Sequence, residues 1–208
     1  MKGSDKKIEL KGYDDIFTPD AATATGEQVR EIAVDQLFPF KNHPFKVLDD
    51  QAMLDTVQSI KEHGVLVPAI ARPRPEGGYE LVSGHRRQHA CQLAGIESMP
   101  VLVRNLDDDA ATILMVDSNL QRENILPSER AFAFKLKLEA MKHQGNRADL
   151  TSSQLGTKLE SKRADQLLAE QAGESRNQVQ RYIRLTELIP EMLAMVDDRR
   201  MAFNPAVE

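Results

Sequence analysis

The clearest indication of the fold is the segment Tyr79-Glu80-Leu81-Val82-Ser83-Gly84-His85-Arg86-Arg87. Apolar residues in its first half predict a short strand, and the glycine near its centre predicts a turn. After the turn we expect a helix from His85 to about Ala94, with Gly95 as its C-terminal stop. A strand that turns directly into a helix brings unpaired backbone N–H groups and a partial positive charge to one point.

The turn also carries side chains that suit an anion. Gly84 lets a ligand approach the backbone closely, and Arg86 and Arg87 add forked donors that match phosphate oxygens. Ser83 is positioned either to cap the helix or to contact the ligand. An ordinary solvated helix start is the alternative, and helix-end physics alone favours it about two to one. By itself, the turn indicates a phosphate site only weakly.

The residues on both sides of this stretch predict an α+β fold. Met53, Val57 and Ile60 recur at helical spacing and form one apolar stripe, which Gly64 ends. Short apolar runs separated by turns predict strands elsewhere before residue 125. In order, we expect a strand near 29–34, a helix capped by Asp49 or Asp50 and ending at His63, strands near 69–72, 79–82 and 101–104, and a helix near 108–117.

Beyond residue 125 the pattern is helical. Pro127 fits the first turn of a helix that we expect to reach about Gln144. The polar run 145–153 predicts a linker, and further helices follow it. The chain should therefore contain three parts, which are a flexible N-terminal arm at 1–28, a mixed-sheet domain at 29–125 and a helical domain at 126–208.

The composition is that of a globular chain without membrane or secretory signals. Hydrophobic residues make up 41% of the 208 residues, and the single cysteine, Cys91, excludes an internal disulfide framework. No run approaches the roughly 20 apolar residues that span a bilayer, and the charged start lacks the apolar core of a signal peptide. These features predict a cytoplasmic protein. The net charge of −5 argues against a basic coat but leaves room for a local basic face.

A second signal lies in Leu167-Leu168-Ala169-Glu170-Gln171-Ala172-Gly173-Glu174-Ser175-Arg176-Asn177-Gln178-Val179-Gln180-Arg181-Tyr182-Ile183-Arg184-Leu185. Ala169 is small enough for two helices to cross closely, Gly173 suits the turn between them, and Val179 can pack the second helix onto the first. Ser175 is a natural N-cap for that second helix. The spacing predicts a helix-turn-helix at about 164–185.

The second of these helices carries polar side chains of the kinds that read DNA. Arginine pairs with guanine, Asn or Gln pairs with adenine, and arginine also contacts phosphates. Three arginines and no acidic residue give this acidic chain one local helix of charge +3. A helical hairpin with a charged outer face is the alternative, and we weigh DNA binding about four times higher. The DNA-contacting candidates are Ser175, Arg176, Asn177, Gln178, Gln180, Arg181 and Arg184.

Three segments resemble, in order, the three boxes of the ParB N-terminal domain. They are Gly64-Val65-Leu66-Val67-Pro68-Ala69-Ile70-Ala71-Arg72, Gly84-His85-Arg86-Arg87 and Asn119-Leu120-Gln121-Arg122-Glu123-Asn124. The resemblance runs from about Ile32 to Ile189, and three ordered boxes are far more specific than one. It implies a small mixed-sheet domain of the ParB and sulfiredoxin type, followed by an all-helical helix-turn-helix domain.

The resemblance to the ParB family implies a nucleotide site. In that family the N-terminal domain binds CTP with Mg²⁺. The first box cradles the base and sugar, the second holds the phosphates, and the third contributes polar groups to phosphate and metal. Asn119 is then the candidate Mg²⁺ ligand. The positions implied for the nucleotide are Gly64, Pro68, Ser83, Gly84, His85, Arg86, Arg87, Asn119 and Arg122.

The resemblance also implies partners. The family acts on the nucleoid as a homodimer that reads a palindromic, centromere-like site in double-stranded DNA, and DNA contact lets nucleotide-bound N-terminal halves engage each other. The arm at 1–28 is a candidate contact for a ParA-type ATPase, although its lysines are equally explained as a solvated tail. Residues 197–208 are too few for the C-terminal dimerisation domain that is usual in the family.

Two positions depart from the family pattern. His85 stands where a Glu usually follows the glycine of the second box, and Ser118 stands where a Glu usually precedes the Asn of the third. A neutral hydroxyl is a weaker ligand for a hard cation than a carboxylate. The sequence therefore favours nucleotide binding over hydrolysis, with at most weak CTPase activity.

Other functions stay open. A helix-turn-helix transcriptional repressor without a partition role would use the same helices, and a DNA-stimulated CTPase or nuclease would use the same fold. No carboxylate cluster for two metals is visible in the sequence, which makes the nuclease the weakest of these. Sulfiredoxin chemistry is disfavoured because His85 holds the position of its catalytic cysteine. Zinc at His85, His89 and Cys91 has about one chance in ten, because Cys91 falls on another helix face.

Overall fold

The computed structural model describes residues 28–122, 124–152 and 163–208. Five strands of the first half form one mixed sheet. They are β1 (Gln28–Ala33), β2 (Leu37–Pro39), β3 (Ala69–Pro73), β4 (Tyr79–Ser83) and β5 (Ser98–Val103). Their order across the sheet is β1-β5-β3-β4-β2.

The pairing of the strands fixes where the Gly84 turn lies. β3 and β4 form an antiparallel hairpin, β2 runs parallel to β4, β3 runs parallel to β5, and β1 runs antiparallel to β5. The chain enters β4 from the hairpin turn at 74–78 and leaves it at Gly84, so these two turns lie at opposite ends of the strand. Beside the hairpin turn there is a separate cleft of about 760 Å³, whose lining includes Arg72, Arg74 and Glu80.

Helices cover both faces of the sheet and form the second half of the described chain. Leu81 packs on Met53 and Ile60 on one face, whereas the next residue, Val82, packs on Met115 on the other. This alternation follows from the two-residue period of a strand. The helices are α1 (Gln51–His63), α2 (His85–Ala94), α3 (Asp108–Leu120), α4 (Pro127–Ser152), α5 (Ala164–Ala172), α6 (Arg176–Leu185), α7 (Pro190–Asp197) and α8 (Phe203–Ala206).

Helix α4 connects the two halves because its successive side chains enter three different clusters. Ala133 packs in the cluster under the sheet, Ala131 packs with Leu185 and Val196, and Phe134 packs with helices α5 and α6. A residue remote in sequence also fixes the start of α4. The Asp197 carboxylate accepts hydrogen bonds from the backbone N–H and the hydroxyl of Ser128 at 3.0 and 2.5 Å. Among the described helices, none combines the length and apolar character that crossing a bilayer requires.

The expected α+β fold class is confirmed, and several local expectations are corrected. The linker expected from residue 145 is wrong, because α4 continues to Ser152. Gly145 weakens a helix by only about 1 kcal/mol relative to alanine, and the good helix formers around it sustain the turn. The helix near 108–117 extends to Leu120, and the three-residue strand β2 was not expected. Residue 153 and the arm expected at 1–28, except for Gln28, lie outside the described residues.

A buried lysine joins α3 to α4. The Lys137 side chain is only 2% exposed, and its ammonium group pairs with the carboxylate of Asp117, which is about half exposed. A lysine in such a place is tolerated only when its charge is matched. The pair therefore fixes how the third box, two residues after Asp117, sits against the first helix of the helical half.

We expect Asp117→Ala to lower the free energy of unfolding by about 3 kcal/mol, because it leaves a buried ammonium without its carboxylate. Adding Lys137→Met removes that charge, so the double variant should lie within about 1 kcal/mol of wild type. Urea denaturation of the wild type, both single variants and the double variant measures the coupling. Independent, additive effects of the two substitutions would contradict this role.

Candidate functional site

The Gly84 turn is a tight approach between backbone elements. Gly84 has φ +109°, and a Cβ added there would lie 2.9 Å from the Cβ of Ala69. Only glycine fits such a position without strain. Gly84 is also the N-cap residue of α2, and no side chain caps this helix. The suggestion that Ser83 caps it is therefore wrong, and the first N–H groups of α2 keep no side-chain acceptor at the cap.

Arg87 joins the turn to the first box. One nitrogen of its guanidinium donates to the carbonyl of Pro68 at 2.8 Å and also to the carbonyl of Val67. Burial lowers the pKa of Arg87. The loop that starts at Gly64 and ends at Pro68 borders a cleft of about 410 Å³, which Arg87 also lines. The structure thus brings the first and second boxes into direct contact.

Arg86 contacts the start of helix α1. Its guanidinium lies 3.3 Å from a carboxylate oxygen of Asp50, which accepts the backbone N–H of Met53 at 2.8 Å as the N-cap of α1. The Met53 amide, followed by the Arg86 guanidinium, lowers the pKa of Asp50. Asp50 therefore holds Arg86 beside the turn, and the same carboxylate oxygen caps α1 through the Met53 amide.

His85 is a buried neutral imidazole. Its Nε2 accepts a long hydrogen bond from the backbone N–H of Phe40 at 3.5 Å, and its ring lies 3.9 Å from the ring of His43. Burial lowers the pKa of His85 to about 3, with further contributions from His43 and Arg122. A neutral ring at this position neither repels phosphate nor attracts a cation as the carboxylate expected from the family would.

His43 is fixed in one tautomer. Its Nδ1 lies 2.8 Å from the carbonyl oxygen of Phe45, which can only accept, so Nδ1 carries the proton. The Nε2 atom is buried and has no partner among the residues that the structure describes. Burial lowers the pKa of His43. His43 and His85 therefore form a buried, uncharged pair of imidazoles close to Arg122.

The third box contributes an arginine and a buried amide. Asn119 lies in the last turn of α3, is 3% exposed, and donates to the carbonyl of Met115 at 2.7 Å. The hydroxyl of Ser118 donates to the same carbonyl at 2.9 Å. Arg122 follows the helix, and its guanidinium lies 5.7 Å from the centre of the Phe45 ring.

The charges of the second and third boxes act on each other. Burial is the first cause that lowers the pKa of Arg122, and the positive charge of Arg86 is the second. Glu129 opposes this effect from the start of α4, while its two oxygens accept the backbone N–H groups of Lys46 and Leu126 at 2.8 and 3.1 Å. Two guanidinium groups that repel each other near a helix N-terminus form a typical anion site.

Sequence reasoning missed the residues that support this site. His43, Phe45 and Glu129 lie outside the three boxes, and Asp50 was recognised only as a helix cap. Nothing in the local pattern marks the first three, because they reach the site through contacts between segments 40 or more residues apart. For His43 and Phe45 the available signal was the stretch 38–45, because Pro39 and Pro44 predict irregular backbone that needs side-chain partners.

The structure does not assemble the weighed zinc site. His89 pairs with Asp49 at 2.6 Å, whereas Cys91 is fully buried and burial raises its pKa. Across residues 28–122, 124–152 and 163–208, no group of three or more His, Cys, Asp or Glu side chains is arranged to hold a metal ion.

Helices α5 and α6 form the expected helix-turn-helix geometry. Gly173 ends α5 with φ +68°, and the hydroxyl of Ser175 accepts the backbone N–H of Gln178 at 3.1 Å as the N-cap of α6. Leu168 and Val179 are fully buried and lie in one cluster with Phe134 of α4. The second helix is therefore held rigidly with one face outward.

The outward face of α6 is less positive than its sequence suggests. Arg176 pairs with Asp165 of α5 at 2.5 Å, so the local charge of +3 is partly neutralised. Arg181 turns towards the end of the chain, where it donates to Asn204 at 2.8 Å and lies 5.5 Å from the centre of the Phe203 ring.

The remaining candidates on α6 divide by exposure. Asn177 and Arg184 are exposed, whereas Gln178 and Gln180 are partly buried. Arg184 follows Gln180 by four residues and Asn177 by seven, so these three share one face of the helix. The candidate DNA-reading face is therefore formed by exposed Asn177 and Arg184, with the partly buried Gln180 between them.

Comparison with known proteins agrees with this architecture. Residues 18–120 match the family model described as the ParB N-terminal domain. A probable chromosome 1-partitioning protein ParB of Deinococcus radiodurans is 37% identical over 139 residues, which cover 64% of this chain and 48% of that protein. Stage 0 sporulation protein J of Bacillus subtilis is 33% identical over 178 residues, covering 86% of this chain and 55% of that protein.

A solved structure extends the similarity beyond the sheet domain. It is the C-terminally truncated chromosome-partitioning protein ParB of Caulobacter crescentus, complexed to the centromeric parS site. It has 26% sequence identity and a TM-score of 0.54, and the match covers 86% of this chain and 82% of that one. The chain therefore carries a ParB N-terminal domain at residues 18–120. It spans about half the length of the curated relatives described above.

The buried histidine predicts a pH dependence of stability. The pKa of His85 falls from 6.5 to about 3 on folding, so between these values the unfolded chain binds a proton that the folded chain does not. The contribution of neutral His85 to the free energy of unfolding is therefore fully present above about pH 6.5, and it is lost as the pH falls towards 3. Between pH 7 and pH 5, wild type should lose about 1–2 kcal/mol more than His85→Gln in urea denaturation. Exposed His63→Gln is the control, and equal losses in wild type and His85→Gln would refute the assignment.

Proposed function

We propose that this chain is a nucleotide-gated, site-specific DNA-binding protein of partition type. Residues 29–125 bind CTP at the Gly84 turn, and residues 126–208 read a palindromic site in double-stranded DNA through α6. Two copies act together, as a palindrome requires two matching readers. The proposal extends to this chain what the Caulobacter relative does with its parS site.

The observation that supports the nucleotide part is the positive charge around the Gly84 turn, because two arginines follow the glycine and the charge of Arg122 acts on Arg86. Arg86 and Arg87 come from the start of α2, and Arg122 comes from the segment after α3. Phosphate oxygens would accept forked bonds from them and from the uncapped N–H groups of α2. An anion would also relieve the repulsion between Arg86 and Arg122, because its charge attracts both.

The neighbouring loop gives room for the rest of a nucleotide. Gly64 ends α1 with φ +71°, and the segment from it to Pro68 lines the cleft of about 410 Å³. The apolar lining includes Ile60, Val65 and Val67, and small-molecule sites combine such walls with a few placed polar groups. In the proposed complex this loop cradles base and sugar while the arginines hold the phosphates.

Helices α3 and α4 provide a route for coupling the two ligands. Asn119 and Arg122 belong to the nucleotide side, and Asp117, on the same helix as Asn119, pairs with Lys137 of α4. On either side of Lys137, Phe134 and Leu138 of α4 pack against the helix-turn-helix. A shift of α3 on nucleotide binding would therefore be transmitted to the DNA-reading helices through packed side chains.

The proposed site has His85 and Ser118 at the two positions where the family pattern has Glu. His85 and Ser118 supply no carboxylate that could poise a water molecule, so we propose binding with at most weak CTPase activity. A ParA-type ATPase would contact the arm at 1–28, of which only Gln28 is described. A repressor without a partition role would use the same α6, and confinement to one operator without spreading would favour it.

Removing the guanidinium of Arg122 tests the nucleotide site. Arg122→Ala should weaken CTP binding by about tenfold or more, because a charge-assisted hydrogen bond contributes about 1.5–3 kcal/mol. Calorimetric titration in the presence of Mg²⁺ and cognate DNA measures the change. Arg74→Ala, at the hairpin end of the sheet, is the matched control. Equal CTP affinity in Arg122→Ala and wild type would count against the site.

The reading helix can be tested in the same way. With duplexes selected from a random pool by the wild-type chain, Arg184→Ala should weaken specific binding by about tenfold. If Arg184 contacts a phosphate rather than a base, the loss extends to unrelated DNA and the salt dependence falls by about one ion. Arg30→Ala, on β1, is the control for net charge. Unchanged affinity of Arg184→Ala would exclude α6 as the reader.

A further inference from the structure

Arg86, Arg87 and Arg122 form what we call the arginine cluster. The two carboxylates that act on it, those of Asp50 and Glu129, already accept backbone N–H groups. One oxygen of Asp50 accepts the Met53 amide and lies 3.3 Å from Arg86. Both oxygens of Glu129 accept backbone N–H groups, at 2.8 and 3.1 Å. In proteins, Mg²⁺ at a nucleotide is normally held by one or two carboxylates together with phosphate oxygens. Glu129 cannot turn to a metal without leaving a backbone donor unpaired, and Asp50 already serves the Met53 amide and Arg86.

The third box offers no better ligand in the described residues. The hydroxyl of Ser118 and the amide nitrogen of Asn119 both donate to the carbonyl of Met115, which turns these groups into the helix. Asn119 is nearly fully buried, and its amide oxygen is a neutral ligand. His85 is an uncharged ring with one nitrogen directed at the Phe40 amide. The donor set therefore does not fit Mg²⁺, and the assignment of Asn119 as its ligand is not supported.

The cationic side of the site is correspondingly strong. Arg86, Arg87 and Arg122 supply three positive charges, and the N-terminus of α2 adds about half a charge. A nucleoside triphosphate carries roughly four negative charges near neutral pH. The two imidazoles beside the arginines are neutral, so they subtract nothing from this positive field. Asp50 and Glu129 subtract two of these charges, and the net charge of the cluster stays positive.

We propose that this chain binds CTP without a divalent cation, with the arginine cluster and the N-terminus of α2 holding the triphosphate in place of Mg²⁺. The inference rests on the proposed nucleotide site and concerns its metal dependence. It follows from the net positive charge of the cluster and from the neutral groups of His85 and Ser118, which engage the Phe40 amide and the Met115 carbonyl at the two positions where the family pattern has Glu.

The direct test is a titration of the full chain with CTP, once in excess EDTA and once in excess MgCl₂. We expect the two dissociation constants to agree within about threefold, because the metal has no protein ligand to exploit. A loss of more than about tenfold in EDTA would overturn the inference while leaving the CTP site intact. No binding in either buffer, even with DNA, would instead overturn the proposed nucleotide site.

Restoring the carboxylates should create the missing dependence. The double variant His85→Glu/Ser118→Glu adds two negative charges, so its CTP affinity in EDTA should fall at least about tenfold below that in MgCl₂. The matched variant His85→Gln/Ser118→Gln adds none and should keep the two affinities within about threefold. Each ratio is measured within one variant, so a change in fold stability does not enter it. The same ratio in both variants would contradict the inference.

Glu123 is the acidic neighbour of Arg122 in sequence and lies outside the described residues. Its substitution therefore closes the remaining route to a metal ligand. In Glu123→Gln, CTP affinity should again agree within about threefold between EDTA and MgCl₂, as in wild type. A wild-type advantage in MgCl₂ that disappears in Glu123→Gln would identify a metal ligand and overturn the inference.

Discussion

The positive charges of Arg86 and Arg122 repel each other beside the Gly84 turn, and the surrounding structure holds them there. Asp50 keeps Arg86 at the start of α2, and the Phe45 ring lies beside Arg122. Glu129 attracts Arg122, and its two carboxylate oxygens accept the backbone N–H groups of Lys46 and Leu126. Packing and hydrogen bonds therefore hold the two guanidinium groups on the same side of the turn. The resulting positive field, next to an uncapped helix start, defines the candidate phosphate site.

The same elements carry the link to the helical half. Because α3 ends in the third box and pairs with α4 through Asp117 and Lys137, the nucleotide side and the DNA side share one packed helix pair. The start of α4 is fastened by Asp197, and its next turns contact the helix-turn-helix. A chain built in this way has few means of moving one site without the other, and the proposed gating depends on this packing.

The sequence predicted what local signals determine. The strand, glycine and helix around Gly84, the cap at Asp50 and the pair of helices at 164–185 all depend on residues close together in the chain. Long-range partners could not be predicted, because His43 packs on His85 from a distant part of the chain and Glu129 accepts the Lys46 amide across 83 residues. The extra turns of α4 also escaped prediction, since a polar helix and a polar linker have similar composition. On α6, the partners Asp165 and Asn204 changed the interpretation of Arg176 and Arg181.

In the proposed complex, CTP occupies the Gly84 turn and not the cleft beside the hairpin turn at 74–78. Hydrogen–deuterium exchange with and without saturating CTP tests it most directly, because it reports protection segment by segment. The account predicts slower exchange at 84–88 and 119–122, with no change at the hairpin turn 74–78 at the other end of β4. Protection confined to 74–78, or unchanged exchange at 84–88 while CTP is bound, would contradict it.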